Sequence, residues 1–173
     1  MKFNYYAFRA MYLHEMDRFK RTLMQSLFSP VLSTSLYFIV FGSVIGGYVE
    51  KIDGISYGSF IVPGLLMLTL LTQSISNTSF GIFFPKFNGT MYEILAAPIS
   101  TFEIVLAFVG AGATKTLLVG VVIFLTATFF VEVQVMYPLL MIFLLVLVAF
   151  TFALFGFLIG LMSSNFEQMS IVP

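Results

Sequence analysis

Very few side chains in this sequence can perform chemistry, and most of them lie outside its long apolar runs. The 173 residues include one histidine, eight acidic residues and no cysteine, so thiol catalysis and cysteine-bound metals are excluded. An intramembrane protease or lipid-modifying transferase needs a nucleophile beside a base, or paired carboxylates, held within the membrane. His14 lies on a charged N-terminal segment, and no serine spacing favours a pair with Lys115. We therefore expect no catalytic residue and no metal site, and an intramembrane enzyme is the rival interpretation.

Lys115 is unusual because it lies well inside an apolar stretch. An ammonium group at the bilayer centre costs at least ~3 kcal/mol on insertion scales. The stretch is longer than one span requires, so this side chain either extends toward the cytoplasmic surface or lines a polar cavity. Residues 110–116 superficially resemble a phosphate-binding loop, but the nearest preceding glycine stands three residues before the lysine. We expect this chain itself to bind no ATP and no other cofactor.

A second polar feature follows one face of the second apolar run at helical spacing. It consists of Thr69, Thr72, Gln73, Ser76 and Asn77. A buried amide needs hydrogen-bonding partners in lipid, so this face should contact protein or water. The stripe either lines a translocation path or holds helices together, and the frequent use of such residues at membrane helix interfaces favours the second role.

These residues are carried by a chain with the composition of a membrane protein. Hydrophobic residues make up 60% and charged residues 9%, whereas soluble domains have about 25% charged residues. Four apolar runs are long enough to cross the roughly 30 Å hydrocarbon core. They lie near residues 30–48, 60–84, 102–130 and 138–162. Residues 4–27 predict an amphipathic interfacial helix, and Ser29-Pro30 predicts the turn into the first span. The predicted fold is all-α, with residues 1–173 forming a single polytopic helix bundle.

The distribution of basic residues orients the chain. Five of the eight precede the first span: Lys2, Arg9, Arg18, Lys20 and Arg21. Because basic residues mark the cytoplasmic side, we expect a cytoplasmic N-terminus. The short connectors 50–56 and 131–137 are then external, and residues 85–101 and 163–168 are cytoplasmic.

Small residues within the spans predict close helix packing. Gly42 and Gly46 form a Gly-x-x-x-Gly pair in the first span, and Gly156 and Gly160 form another in the fourth. Such residues let helix backbones approach closely in lipid, where no hydrophobic effect drives association.

Between the second and third spans, residues 86–98 predict a short cytoplasmic helix. Asn88-Gly89 is a turn signal, and Pro98 prevents the helix from continuing beyond Ala97. Thr90 and Glu93 have the spacing of a capping box, in which each side chain binds a backbone N–H near the other residue.

The run GTMYEILAAPISTFEIVLAFVGAGATK, residues 89–115, resembles the signature region of the type-2 ABC transporter permeases. The matching positions are Gly89, Thr90, Glu93, Leu95, Pro98 and Glu103. The VPG at residues 62–64 and the NFEQ at residues 165–168 extend the resemblance over nearly the whole chain. The likeness is to bacterial inner-membrane permeases of the drug and polysaccharide exporter branch.

This resemblance implies a membrane subunit that works as a dimer, here expected as a homodimer, with two cytosolic ATPases that bind ATP and Mg²⁺. In that family the short loop helix is a coupling helix that fits a groove on the ATPase. The residues implied in coupling are Lys86, Asn88, Gly89, Thr90, Tyr92, Glu93, Ile94, Pro98 and Glu103. The other expected partner is the lipid bilayer, and no nucleic acid is expected.

Two features depart from the family pattern. Many relatives have an arginine upstream of the Gly-Thr pair, where this chain has only Lys86 nearby. The family has six spans and this chain shows four, so we expect either the N-terminal part of a permease or a form that lost two spans. The second case keeps a non-transporting scaffold open as an alternative, and the exported substrate stays open in both.

Overall fold

The computed structural model describes residues 3–41, 51–52, 55–133 and 135–170, and most of these residues are helical. The helices are α1 Tyr5–Arg21, α2 Leu23–Val40, α3 Tyr57–Phe87, α4 Thr90–Ala96, α5 Thr101–Thr128, α6 Pro138–Met162 and α7 Phe166–Ser170. Helices α2, α3, α5 and α6 are long and apolar enough to cross a membrane. The prediction of a polytopic membrane helix bundle is therefore confirmed.

One small element of strand was not predicted. Strand β1, Lys51–Ile52, pairs antiparallel with β2, Ile55–Ser56, in the connector between the first two spans. Ser56 then begins α3, since its hydroxyl accepts a hydrogen bond from the Ser59 amide at 3.3 Å. The predicted packing residues Gly42 and Gly46 lie outside the described part of the chain.

The first two helices are separated at Thr22, and the predicted turn at Ser29-Pro30 was wrong. The Thr22 hydroxyl lies 3.3 Å from the carbonyl oxygens of both Arg18 and Phe19, so the last turn of α1 is satisfied locally. Pro30 is buried inside α2. Membrane helices tolerate proline because neighbouring groups satisfy the carbonyl that loses its N–H partner.

Helices α3 and α5 pack antiparallel at the centre of the bundle. Gly112 of α5 lies against Thr78, while Gly120, two turns further along α5, lies against Leu70, two turns earlier in α3. A methyl group at either glycine would collide with the facing side chain. The absence of a side chain at these two positions therefore sets the short distance between the helices.

Helix α6 packs parallel to α3 through a second pair of glycines. A Cβ atom at Gly156 would lie 2.5 Å from the carbonyl oxygen of Ile75, and one at Gly160 would lie 2.6 Å from that of Ser79. Both contacts involve backbone atoms, which cannot rotate away. The Gly-x-x-x-Gly pair of α6 thus contacts the α3 backbone directly.

The directions of these helices give the bundle two distinct ends. The α4 end, as we name it, contains α4, the last turns of α3 and α6, and the first turn of α5. At the opposite end, Phe38 of α2 packs with Val62 and Ala127, and its ring stacks on Phe130 at a centroid distance of 5.8 Å.

Candidate functional site

The turn that leads into α4 depends on the backbone conformation of Gly89. Its φ of 81° lies in the left-handed region, which residues with a Cβ rarely adopt. Gly89 is itself the N-cap residue, and its carbonyl accepts from the Tyr92 amide at 3.1 Å. Thr90 is therefore already the first helical residue, and no side chain caps α4. The predicted capping box between Thr90 and Glu93 was wrong for this reason.

The two faces of α4 have different surroundings. Met91 and Ile94 pack against the core cluster that contains Ile104 and Phe108 of α5. Tyr92 is 79% exposed and Leu95 is 62% exposed, and Glu93 between them is also exposed. Ile94 was expected to face a partner together with Tyr92, but the structure turns it toward the chain's own core. Large apolar side chains on a short exposed helix can contact another protein.

A capping box does occur, but at the start of α5. The Ser100 hydroxyl accepts from the Glu103 amide at 3.3 Å, and Glu103 Oε2 accepts from the Ser100 amide at 2.8 Å. The other oxygen of Glu103 accepts a hydrogen bond from the Asn4 amide, just before α1. Glu103 is 2% exposed. It therefore connects α1 to α5 inside the chain. Pro98, two residues before Ser100, is exposed in the connection from α4.

Lys86 is exposed, and it binds the end of α6. Its Nζ donates to the carbonyl oxygens of Leu161 at 2.6 Å and Ser163 at 2.8 Å. These carbonyls belong to the last turn and C-cap of α6, where a positive charge is favoured by the helix dipole. Lys86 therefore connects the last turn of α3 to the last turn of α6, at the α4 end of the bundle. Asn88, two residues later, is exposed and caps the C-terminus of α3.

An aromatic cluster fixes α7 beside the same end of α3. The Phe166 ring packs edge-on against Phe83 at a centroid distance of 4.9 Å and against Phe87 at 5.1 Å. Edge-to-face pairs at such distances are favourable. Phe166 belongs to the NFEQ segment, so this segment anchors the chain after the fourth span.

Lys115 is held in a buried ion pair. Its Nζ lies 2.8 Å from Glu15 Oε2, and both side chains are 4% exposed. Arg18 Nη2 lies 3.0 Å from the same oxygen and is 35% exposed. The sequence left two alternatives for Lys115: extension to the cytoplasmic surface or the lining of a polar cavity. In the structure the side chain does neither, because it is buried against Glu15. Glu15 was missed because its partner is 100 residues away in sequence.

The contacts between α1 and α5 show how α1 is placed. Asn4 contacts Glu103, and Glu15 contacts Lys115, so 11 residues of α1 correspond to 12 residues of α5. Because the residue numbers of both helices increase together, and by nearly the same amount, α1 runs beside α5 in the same direction. The sequence predicted an interfacial helix over residues 4–27. The structure adds that α1 is held against α5 by a buried ion pair, which the sequence did not reveal.

The polar stripe of α3 is bonded mainly within its own helix. Thr69 and Thr72 donate to carbonyls one turn earlier, at 2.8 and 3.1 Å, and Gln73 accepts from Asn77 at 3.4 Å. Ser76 is half-buried on the same helix. The bond between helices is made by Ser74, which the sequence analysis did not single out.

Ser74 is fully buried, and its hydroxyl donates to the Ala149 carbonyl of α6 at 2.6 Å. A cavity of about 860 Å³ lies at the opposite end of the bundle. Its lining includes Phe60, Met67, Phe124 and Met141, and it is mainly apolar. None of the residues predicted for a possible translocation path lines this cavity; these were Thr69, Thr72, Gln73, Ser76 and Lys115.

Comparison with known proteins places this helix bundle in a family. Residues 6–173 match the ABC-2 type transporter family, and the chain belongs to it. The resemblance to type-2 ABC transporter permeases is therefore confirmed. Among curated proteins the chain is similar to the inner membrane transport permease YadH of Escherichia coli K12, with 37% identity over 167 residues. That match covers 96% of this chain and 65% of the relative.

The same identity and coverage apply to YadH from Escherichia coli O157:H7 and from Shigella flexneri. The chain thus spans about 65% of the length of the curated relatives it matches. No solved structure matches the chain significantly.

Proposed function

We propose that this chain is the membrane-spanning part of an ATP-driven exporter. In this proposal it forms the N-terminal four spans of a permease that moves a substrate out of the bacterial cytoplasm by alternating access. ATP and Mg²⁺ bind to a separate cytosolic ATPase subunit. Membership of the ABC-2 type transporter family supports this function, as does the similarity to a protein named as a transport permease.

The observation that carries the proposal is the two-faced helix α4. Its inner residues Met91 and Ile94 pack on α5, and its outer residues Tyr92 and Leu95 are exposed. A partner that moves α4 would therefore move the start of α5. The positive φ of Gly89 fixes the angle at which α4 leaves α3. This helix is thus suited to transmit the movement of an ATPase to the spans.

We further propose that the α4 end faces the cytosol. The chain before the first span carries five of the eight basic residues, and its start contacts α5 near Glu103 at the α4 end. Basic residues favour the cytoplasmic side of a membrane. The N-terminus, α4 and α7 are then cytoplasmic, and the connector after α5 is external.

Export by alternating access requires a second set of spans, so we propose a dimer of permeases. The outer surfaces of the spans are strongly apolar: Leu139 is 84% exposed and Phe143 is 62% exposed on α6. Such surfaces fit the lipid bilayer or a second copy of the permease. In this arrangement Lys115 holds helices together and does not line the path.

Site-specific photo-crosslinking from α4 tests the ATPase contact. A photoreactive amino acid at position 92 should crosslink to a protein with a nucleotide-binding motif when membranes are irradiated. The same residue at position 91 is a matched control, because Met91 lies on the inner face of the same helix. Equal crosslinking from both positions, or no nucleotide-binding protein among the products of position 92, would contradict the proposal.

Substitution of Gly89 tests coupling. Proline requires a φ near −65°, whereas Gly89 has a φ of 81°, so Gly89→Pro must change the turn into α4. We expect the variant to insert and to keep its ATPase partner, but to lose ATP-driven transport into inside-out vesicles. Gly64→Ala is the control: nothing lies within 4 Å of its Cβ position, so this variant should retain transport. Full transport by Gly89→Pro would refute the coupling role of α4.

A further inference from the structure

A group of three charges, two of them buried, joins the N-terminal helix to the middle of α5. One carboxylate oxygen of Glu15 contacts Lys115 of α5 and Arg18 of α1, at 2.8 and 3.0 Å. Gly81 of α3 lies beside this oxygen: a Cβ there would be 3.4 Å from it. The ion pair is therefore enclosed where α1, α3 and α5 meet.

Two further hydrogen bonds connect α1 to α5 on the same side. The Asn4 amide donates to Glu103, and the Tyr12 hydroxyl donates to the Thr114 hydroxyl at 2.9 Å. The contacts extend over 12 residues of α5, which corresponds to about 18 Å at 1.5 Å per residue. Helix α1 is thus held to α5 at its start and again two-thirds of the way along its length.

The same unit includes α4 through apolar contacts. Met11 of α1 and the two inner residues of α4, Met91 and Ile94, pack against one cluster that contains Ile104 and Phe108 of α5. The cluster also contains residues of α3 and α6. Apolar contacts join α1, α4 and α5 near the α4 end, and the ion pair joins only α1 and α5 further along the bundle.

We propose that Glu15 and Lys115 are positioning residues that hold α1 on α5, so that both helices move together when α4 is displaced. The role in movement rests on the function proposed above, whereas the attachment of α1 does not. Stability alone gives a weak reason for such a pair, because well-packed apolar residues often replace a buried ion pair without loss of stability. A geometric reason is that the pair fixes one register: a carboxylate on α1 can meet the ammonium group at only one position along α5.

The experiment measures the distance between α1 and α5 with spin labels. The chain has no cysteine, so Tyr6→Cys and Val121→Cys provide two unique labelling positions. Both are exposed, at 81% and 57%. They are separated by on the order of 25 Å along the helix axis, which suits pulsed electron paramagnetic resonance. The labelled full chain is measured in lipid nanodiscs.

Four backgrounds are compared. The unsubstituted pair and Lys115→Arg both keep the opposite charges, whereas Glu15→Gln with Lys115→Met removes both. Arg18 loses its partner in this double variant, but its side chain is 35% exposed and can be hydrated. Thr116→Val is the matched control, since Thr116 is buried beside Lys115 in the sequence of α5 and its hydroxyl donates to Gly112 of the same helix, so the change removes no charge and no hydrogen bond to α1. Size-exclusion profiles establish whether each variant is folded. If the neutral double variant does not fold, the width of the distance distribution in Lys115→Arg still tests the attachment.

We expect a narrow distance distribution in the native pair, in Lys115→Arg and in Thr116→Val, and a distribution at least twice as wide in the neutral double variant. A narrow distribution in a folded neutral variant, or a wide one in Lys115→Arg, would overturn the attachment.

With the ATPase bound and nucleotide trapped, the distance between α1 and α5 should stay unchanged while a label at position 92 moves relative to α6. A changed distance between α1 and α5 would overturn the common movement. If position 92 does not move, the proposed function fails, and the nucleotide-free comparison still decides whether the pair holds α1.

Discussion

The contact between α6 and α3 gives a prediction whose size can be worked out from the structure. In Gly160→Ala the new methyl carbon would lie 2.6 Å from the Ser79 carbonyl oxygen and 3.0 Å from the Ser79 Cα, which are backbone atoms, and closer still to Cγ2 of the Ile82 side chain. Ordinary contacts begin at 3.4 Å, so α6 must move outward by about 0.8 Å. A gap of that size removes roughly a quarter to a half of each dispersion contact along the interface.

Two opposing effects determine the net change in stability. Overpacking of this kind costs about 1–3 kcal/mol, whereas replacing glycine by alanine inside a helix gains up to about 1 kcal/mol. Gly64→Ala is the matched control because nothing lies within 4 Å of its Cβ position. Both variants gain the same helix propensity, so the difference between their free energies of unfolding leaves only the packing cost. In lipid no hydrophobic drive between helices compensates for it.

Thermal unfolding followed by far-UV circular dichroism measures this difference. At about 2–4 °C per kcal/mol for a chain of this size, Gly160→Ala should melt roughly 4–8 °C below Gly64→Ala for a cost near the middle of that range. Melting temperatures of the two variants within about 1 °C of each other would show that Gly160 does not set the α3–α6 distance.

Two polar contacts of the bundle give further predictions. Ser74→Ala should destabilise the protein by about 0.6–1.7 kcal/mol, the range for hydrogen bonds between membrane helices, while Thr72→Ala, which loses a bond within its own helix, should cost less; equal melting temperatures would contradict this. Lys86→Met leaves the carbonyl groups at the end of α6 without a positive charge to bind. The backbone amides of the segment that contains Phe166, just after α6, should then exchange their hydrogens faster. Unchanged exchange there would show that Lys86 does not hold the end of α6.

The sequence was sufficient for features that depend on local pattern. Apolar runs predicted helices that match α3, α5 and α6 to within a few residues, because about 20 apolar residues are needed to cross a bilayer. The break near the N-terminus was misplaced, since proline at position 30 is tolerated inside α2 while the Thr22 hydroxyl ends α1. The capping box was assigned to the wrong helix. The sequence contains two matching spacings. The structure forms the capping box at Ser100 and Glu103, whereas at α4 the left-handed Gly89 occupies the N-cap position before Thr90.

Contacts between distant residues could not be predicted. Periodicity shows which face a residue occupies on its own helix, but not which residue it meets on another. The Glu15–Lys115 pair, the Lys86 contact with α6 and the Ser74 bond to Ala149 are of this kind. The sequence contained one signal for the Glu15–Lys115 pair. A lysine inside an apolar run requires a partner, and only a few acidic residues lie near the spans.

The central claim is that α4 lies at the cytosolic end of the bundle and presents Tyr92 to a partner. Tyr92→Cys in this cysteine-free chain provides a single site for a thiol reagent that cannot cross membranes. Met136→Cys, 82% exposed at the opposite end, is the control. We predict that position 92 reacts in inside-out vesicles and not in intact cells, with the reverse for position 136. Reaction of position 92 from outside intact cells would contradict the account.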